Sequence, residues 1–203
     1  MAPGPNSDET PGKERKMNEY VIETHYLTKK YKKVKAVSHL NLKIPRGSIY
    51  AFMGPNGAGK TTTIKMLMNL IPSSSGYAHV LGVNSRKLKP VHWERIGYVS
   101  ENQELPQWMT VKELLDYCRP LYPNWDQEFC DKLLKEFDLP LNRAIKHLSR
   151  GAKVKAALLS SLAYRPELLV MDEPFTGLDP LIRDQLILGV LELSKAENWS
   201  VFI

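Results

Sequence analysis

The spacing of hydrophobic and polar positions changes along the chain and divides it into predicted strands and helices. Residues 34–44 alternate apolar and polar side chains, which predicts a half-buried strand of an antiparallel sheet. Residues 48–53 and 168–171 are short and almost wholly apolar, as expected of central strands that are covered on both faces. Strands of both kinds, alternating with helical segments, indicate the α/β class.

Other segments complete this pattern. Apolar residues at helical spacing predict helices over residues 60–70, 154–164 and 180–193. Between residues 111 and 148 the pattern predicts several helices that prolines separate. Further short strands are predicted at residues 20–24, 96–100 and 199–203.

Length and composition limit the possible protein classes. With 203 residues, 43% of them hydrophobic, the chain can form one full core but not two. Residues 1–17 are rich in Pro, Gly and charge, so we expect a disordered tail. No apolar run reaches about 18 residues, and the start lacks a signal-peptide core, so no membrane span or export is expected. The two cysteines form no metal-ligand pattern, which favours reduced thiols in the cytosol.

The charge excess is modest, with 28 basic and 22 acidic side chains and a net charge of +6. Part of it comes from a lysine cluster at positions 29, 30, 32, 33 and 35. A solvated face is one interpretation of this cluster, and an electrostatic contact with phosphate or lipid is the other. Because no aromatic interleaving or nucleic-acid motif accompanies the lysines, no nucleic-acid partner is predicted.

A glycine-rich segment between the predicted strand at 48–53 and the helix at 60–70 has the pattern of a phosphate-binding loop. Glycines let backbone N–H groups fold around an anion, and the helix start adds the positive end of its dipole. Lys60 supplies a mobile charge for the β- and γ-phosphates, and the Thr61 hydroxyl is placed to hold Mg²⁺. The predicted nucleotide-binding residues here are Gly54, Pro55, Asn56, Gly57, Ala58, Gly59, Lys60, Thr61 and Thr62.

Two carboxylates, Asp172 and Glu173, close the apolar strand at 168–171. Strand ends are where α/β sheets place ligand chemistry. Asp172 can hold the metal ion through water, and Glu173 can polarise the water that attacks the γ-phosphate. The alternative, two solvated charges at a strand end, does not explain why a phosphate loop precedes them in the chain.

These motifs together resemble the ATP-binding-cassette (ABC) family, and the resemblance covers about residues 20–203. Residues 148–152, Leu-Ser-Arg-Gly-Ala, stand where the family has its signature, usually Leu-Ser-Gly-Gly-Gln. Residues 176–179, Thr-Gly-Leu-Asp, look like the family's D-loop. Tyr31 occupies the position of an aromatic side chain that normally stacks on adenine, and residues 96–99 precede the loop that normally carries a glutamine.

The resemblance implies a fold with three parts. The first is a P-loop NTPase core, whose central sheet is mixed but mainly parallel and has flanking helices. The others are an antiparallel β subdomain and a helical signature subdomain at about residues 101–160. The cassette domain would then cover residues 18–203 and would be incomplete at its C-terminus.

The resemblance also implies an ATPase that powers a transporter. ATP and Mg²⁺ would bind in one copy, with Glu173 as the catalytic base and with Thr61 and Asp172 at the metal. A second copy, as a homodimer or paired cassette, would present its signature to that ATP, and closure of the pair would act on a separate membrane-spanning permease. The chain is therefore expected in the cytoplasm, on the inner face of the cell membrane. The residues expected to face the other copy are Ser149, Arg150, Gly151 and Ala152, together with Asp179 of the D-loop.

The sequence departs from the family's pattern at two sites. Arg150 and Ala152 replace a glycine and the glutamine of the signature. Glu101 stands where the glutamine loop has its glutamine, with Gln103 two residues later. Either side chain can reach the metal ion or its water, and Glu101 is the tentative choice as a metal ligand. Such variants occur in exporter-like members, which favours export.

The sequence ends before the family's switch histidine, so we expect a truncated form that binds nucleotide and hydrolyses it slowly. A soluble ABC-type ATPase switch in an assembly pathway is the alternative, and its partner would distinguish it. A P-loop kinase would leave residues 149–152 and Asp179 without a role. Within residues 101–125, four side chains are expected either against the permease or in the helical core: Trp108, Met109, Tyr122 and Trp125.

Overall fold

The computed structural model describes residues 19–101 and 103–203, so the tail predicted at residues 1–17 lies outside the described residues. The described residues form one antiparallel and one parallel sheet of four strands each, with helices packed around the parallel sheet. The α/β prediction is confirmed.

The antiparallel sheet has the strand order β2-β1-β4-β5. Its strands are β1 (Tyr20–Tyr31), β2 (Val34–Pro45), β4 (Ser75–Val80) and β5 (Val83–Asn84). The alternating pattern at 34–44 is confirmed as β2, which pairs with β1 along its length. The strand predicted at 20–24 is too short, because β1 pairs with β2 on one side and β4 on the other and so continues to Tyr31.

The parallel sheet has the order β3-β8-β7-β6. Its strands are β3 (Ile49–Tyr50), β6 (Ile96–Ser100), β7 (Leu168–Asp172) and β8 (Ser200–Phe202). The prediction of a central strand over 48–53 is wrong within the described residues. There β3 has two residues and stands at the end of the sheet, since β8 is the strand that pairs with it.

Six α-helices occur among the described residues, and capping side chains determine where several begin. The helix predicted at 154–164 starts four residues earlier, because the Ser149 side chain accepts a hydrogen bond from the backbone of Ala152. Thr110 and Glu113 form a reciprocal capping box at the start of α3. Within the described part of the chain, none of the helices is long and apolar enough to cross a membrane. The helices are α1 (Lys60–Leu67), α2 (Pro90–Trp93), α3 (Val111–Cys118), α4 (Gln127–Glu136), α5 (Arg150–Leu162) and α6 (Pro180–Ala196).

Two hydrophobic cores lie on opposite faces of the parallel sheet, and β7 contributes to both. The prediction of a single core is therefore wrong, because the sheet is covered on both faces and divides the apolar side chains between them. Leu168 and Val170 belong to the core shared with the antiparallel sheet and α1. Leu169 and Met171 belong to the core formed with α3 to α6. All five residues of β7 are buried. This two-sided burial explains why the strand is a continuous apolar run.

A cluster of three charges ties the two sheets together at the edge opposite the carboxyl end of β7. The Glu167 carboxylate accepts hydrogen bonds from Arg95 Nε at 2.5 Å and Nη2 at 2.8 Å. Arg46, from the turn after β2, donates to the same carboxylate at 2.9 Å. The arginines, Arg95 first, hold the pKa of Glu167 below its usual value of 4.5.

The phosphate-loop segment packs closely on β2 through a single glycine. Gly57 and Gly59 both have positive φ angles, of 82° and 92°. A Cβ atom on Gly59 would lie 2.2 Å from the carbonyl oxygen of Ala36, whereas one on Gly57 would have no atom within 4 Å. Only at Gly59 does the backbone of β2 exclude a side chain.

Replacing Glu167 with Gln should lower the free energy of unfolding by about 1 kcal/mol at neutral pH, since the carboxylate is partly exposed and its pairs are partly screened. Because the folded-state pKa is depressed, this contribution is present above pH 4.5 and is lost as the pH falls through the lower folded value. Denaturant unfolding of both proteins from pH 7 down to about pH 3 measures it. Glu136→Gln, at an exposed site of α4, is the control, and a difference that does not shrink in acid would contradict the assignment.

Alanine at Gly59 should destabilise the chain more than alanine at Gly57. Both substitutions introduce the strain of a side chain at positive φ, roughly 1 kcal/mol. The Gly59 variant adds the clash with the Ala36 carbonyl, which we expect to cost a further 1–3 kcal/mol or so. Denaturant unfolding of the two variants isolates the clash as their difference, and equal losses would show that the loop does not rest on β2.

Candidate functional site

The predicted phosphate loop lies between β3 and α1, and Lys60 closes it. Gly59 is the N-terminal cap of α1 and has a left-handed backbone. The Lys60 ammonium donates to the carbonyl oxygens of Gly54 at 2.7 Å and Pro55 at 3.2 Å. Its side chain is 15% exposed, so the loop wraps around the cation. The loop is thus a nearly closed ring of backbone held by one lysine.

The two carboxylates predicted after β7 meet this loop. The Thr61 hydroxyl donates to Asp172 Oδ1 at 2.8 Å. Lys60 Nζ lies 3.2 Å from Glu173 Oε1. The structure therefore brings together residues that are far apart in sequence. Asp172 lies beside Thr61, with which it shares the predicted metal-binding role, and Glu173 lies beside Lys60.

A cavity opens between the loop and the second carboxylate. Glu173 forms one wall, with a backbone φ of 52° that belongs to the left-handed region and costs conformational energy for a side chain of this type. The residues that line the cavity are Asn56, Gly57, Gly59, Lys60, Thr61, Thr62 and Glu173.

Asp172 is the buried carboxylate of the pair, with an exposed fraction of 5%. Burial raises its pKa, the hydrogen bond from Thr61 opposes that rise, and the charge of Glu173 adds to it. A cation beside Asp172 would therefore offset both the cost of burying the ionised carboxylate and its repulsion by Glu173.

The donor set of this corner fits Mg²⁺. Asp172 and Thr61 offer two hard oxygen ligands that already lie within hydrogen-bonding distance of each other. Across the described residues, no group of three or more His, Cys, Asp or Glu side chains could hold a metal ion. A pair of protein oxygens is what Mg²⁺ needs when it keeps waters and binds substrate phosphates.

Tyr31 is the last residue of β1 and is 47% exposed. The Lys29 ammonium lies 5.0 Å from the centre of its ring. The adjoining strand β2 carries Ala36, which touches Gly59 of the loop. Tyr31 thus stands on the hairpin next to the loop, and its stacking on a base stays a prediction.

The predicted signature and D-loop residues occupy the starts of two other helices. Ser149 caps α5, and Asp179 caps α6 by accepting from the backbone of Leu181 at 2.9 Å. Gly151 is buried, and a Cβ on it would lie 3.2 Å from Ile182 of α6. Within the described residues, no hydrogen bond or ion pair joins residues 149–152 to residues 54–62. One chain does not bring its signature to its own phosphate loop.

Arg150 makes contacts that the sequence did not predict. Its Nη2 lies 3.4 Å from Glu101 Oε1, and a Cβ on Gly177 of the D-loop would lie 2.7 Å from its Nη1. The only sequence signal for the contact was that Arg150 and Glu101, which both depart from the family's pattern, carry opposite charges. Glu101 also donates its backbone N–H to the Asp172 carbonyl at 2.9 Å, and its role as a metal ligand stays a prediction.

Four side chains between residues 101 and 125, left open between a partner surface and the core, differ in burial. Trp108 is 76% exposed. Met109 and Trp125 are partly buried against the core formed with α3 to α6. Tyr122 stacks on Tyr164 with ring centres 3.8 Å apart. Of the four, only Trp108 presents a large apolar surface to solvent.

Known proteins resemble this chain in sequence and in fold. The sequence profile of the ABC transporter family matches residues 37–176. The bacitracin transport ATP-binding protein BcrA of Bacillus licheniformis is 35% identical over 185 residues, which cover 90% of this chain and 60% of that protein. The choline transport ATP-binding protein OpuBA of Bacillus subtilis is 39% identical over 160 residues, which cover 75% of this chain and 42% of that protein.

A solved structure of the ATP-binding subunit of an ABC transporter superimposes with a TM-score of 0.78 at 26% identity, covering 90% of this chain and 78% of that one. The chain thus spans about three fifths or less of the curated relatives named here and most of a solved cassette. The predicted P-loop NTPase fold is confirmed. The family profile, the relatives and the shared fold agree, and the chain belongs to the ABC transporter family.

Proposed function

We propose that the chain is the ATP-binding and ATP-hydrolysing subunit of an ABC transporter. The observation that carries this proposal is that Thr61 and Lys60 of the phosphate loop contact the two carboxylates after β7, Asp172 and Glu173 respectively. A phosphate-binding cation, a hydroxyl, a buried carboxylate and an exposed carboxylate are the groups that ATP hydrolysis requires.

The loop binds the triphosphate. Backbone N–H groups of residues 54–59 surround the phosphates, and the start of α1 adds its dipole. Lys60, which now bonds to the carbonyls of Gly54 and Pro55, turns its ammonium to the β- and γ-phosphates. Tyr31 stacks on the adenine from the neighbouring hairpin.

Glu173 performs the proton transfer. Its carboxylate accepts a proton from the attacking water as the new bond to the γ-phosphorus forms and ADP leaves. Thr61 and Asp172 would hold Mg²⁺, which supplies positive charge to the phosphate oxygens when bound. The contact between Lys60 and Glu173 holds the carboxylate next to the place where the γ-phosphate would sit.

A complete site needs a second cassette. The signature residues Ser149, Arg150, Gly151 and Ala152 stand apart from the phosphate loop of their own chain, which supports their use on the ATP of another copy. Gly177 and Asp179 follow the signature in sequence, on the D-loop. Closure of the pair on ATP would be the mechanical step.

Transport requires a membrane-spanning permease, and the chain would sit against it on the cytoplasmic face. Trp108 supports this assignment, because it is a large exposed apolar side chain in the segment expected to meet the permease. The relatives are named for bacitracin and for choline, so their names agree on transport and differ in cargo. The exporter-like departures at Glu101 and Arg150 favour export.

Glu173→Gln should retain nucleotide binding and lower the rate of ATP hydrolysis by at least about a hundredfold, as removal of a general base does. Single-turnover assays with labelled ATP measure the rate, and equilibrium binding of a fluorescent ATP analogue measures affinity. Lys60→Ala should instead lose nucleotide binding, and Glu136→Gln on α4 should change neither. Normal turnover in Glu173→Gln would remove it as the base.

Crosslinking of the tagged gene product in its native cells should capture a protein with several membrane spans. Trp108→Ala should reduce the recovered permease several-fold, because its side chain would leave the contact. Leu188→Ala, which removes another exposed apolar side chain on α6, is the control and should leave recovery unchanged. Capture of soluble proteins alone would mean an ATP-driven assembly factor rather than a transporter subunit.

A further inference from the structure

Charge is divided unequally between the two halves of the chain. Residues 24–93 contain twelve lysines and arginines and no aspartate or glutamate. Residues 94–203 contain thirteen lysines and arginines against seventeen acidic side chains. The basic half carries most of the antiparallel sheet together with the phosphate loop.

Four of these cations stand on the hairpin between β1 and β2, and we call Lys30, Lys32, Lys33 and Lys35 the rim lysines. All four are exposed, and in the described part of the chain none makes an ion pair. Lys29 differs from them, since its ammonium donates to the Pro72 carbonyl at 2.6 Å. Among the residues that the structure describes, no acidic side chain pairs with the four positive charges of the rim lysines.

The arrangement of the rim lysines costs stability. Lys30 and Lys35 are direct cross-strand partners in the β1–β2 ladder. Like charges placed opposite each other in an antiparallel pair repel, and the effect is destabilising. No carboxylate of the described chain offsets this repulsion, which points to an anion outside the chain.

The hairpin ends beside the phosphate loop. The Ala36 carbonyl would be 2.2 Å from a Cβ on Gly59, and Lys35 is the residue before Ala36. At a rise of about 3.4 Å per strand residue, the backbone of Lys33 lies roughly 10 Å from this contact. That separation is close to the Debye length at physiological ionic strength, about 8 Å, so the rim lysines act on a charge at the loop with only partial screening.

We propose that the rim lysines form an electropositive collar that captures ATP from solution and delivers its triphosphate to the phosphate loop. The proposal rests on the proposed nucleotide-binding function. An incoming triphosphate meets the negative charges of Asp172 and Glu173 at the loop, and the collar outweighs their repulsion. Because the rim side chains are long and exposed, they act on the encounter rather than on the bound nucleotide.

The test is stopped-flow association of a fluorescent ATP analogue with the 203-residue chain and two fourfold variants. One variant replaces the rim lysines with Gln. The control lowers the net charge equally at exposed sites of the other half, by Lys132→Gln, Lys135→Gln, Arg143→Gln and Lys195→Gln. At low salt the association rate constant should fall roughly three- to tenfold in the rim variant and less than twofold in the control. The dissociation rate should change less than twofold in both.

Salt gives a second measurement, and its first part needs only the unmodified chain. Association with the unmodified chain should slow steeply as salt rises, and near 0.5 M salt, where the Debye length is about 4 Å, the rim variant should match it. In the turn variant Lys32→Gln/Lys33→Gln, the logarithm of the association rate constant at low salt should fall by about half as much as in the rim variant. These two readouts keep the proposal testable if the fourfold variant is unstable.

Three outcomes would overturn the collar. Equal slowing in both fourfold variants would assign the effect to net charge. A change confined to the dissociation rate would mean direct contact with bound nucleotide. If the rim variant no longer sedimented with phosphatidylserine vesicles but bound the ATP analogue as fast as the unmodified chain, the lysines would be assigned to a membrane. Failure of the proposed function is distinct, since the unmodified chain would then bind the analogue no better than Lys60→Ala.

Discussion

The burial of β7 on both faces is the constraint on which the rest of the structure depends. Alternate side chains of this strand enter two different cores, so its position is fixed from both sides. The strand carries Asp172 at its end into a site that is 95% removed from solvent, where its pKa is raised. The packing of β7 thus holds the Asp172 carboxylate in a buried position, where the Thr61 hydroxyl donates to it.

Most elements with a clear local hydrophobic pattern could be predicted from the sequence. Strands whose presence or length depends on pairing with a neighbouring strand could not. The alternation at 34–44 and the apolar run of β7 identify their strands, because each pattern reports how many faces are covered. The strand β4 begins with Ser75 and Gly76, which have little strand propensity, and it forms because β1 offers an edge to pair with. Likewise, the run at 48–53 is apolar enough for a central strand, yet β3 stands at the edge of the parallel sheet, where only β8 lies beside it.

The candidate site was predictable to the extent that its chemistry is written in short motifs. The phosphate loop and the Asp172–Glu173 pair each have a local pattern, and the contacts between them follow from strand ends meeting at one edge of a sheet. The contact of Arg150 with Glu101 and Gly177 has no such pattern. It depends on how α5 and the D-loop approach each other, and this distance comes from the packing of Gly151 against Ile182 rather than from spacing in sequence.

The ion pairs of Glu167 and of Arg150 differ in geometry. The first holds its partners in one orientation, whereas the second can change its partner. Glu167 accepts two parallel bonds from Arg95 and a third from Arg46, an arrangement that specifies orientation as well as distance. Arg150 reaches Glu101 through one contact at 3.4 Å, and its side chain is 55% exposed. Exposed single contacts contribute about 0–1 kcal/mol, so a phosphate can displace Glu101 from Arg150 at little cost. The sheets are therefore joined firmly on the side away from the phosphate loop, while Arg150 is held loosely enough to exchange its partner.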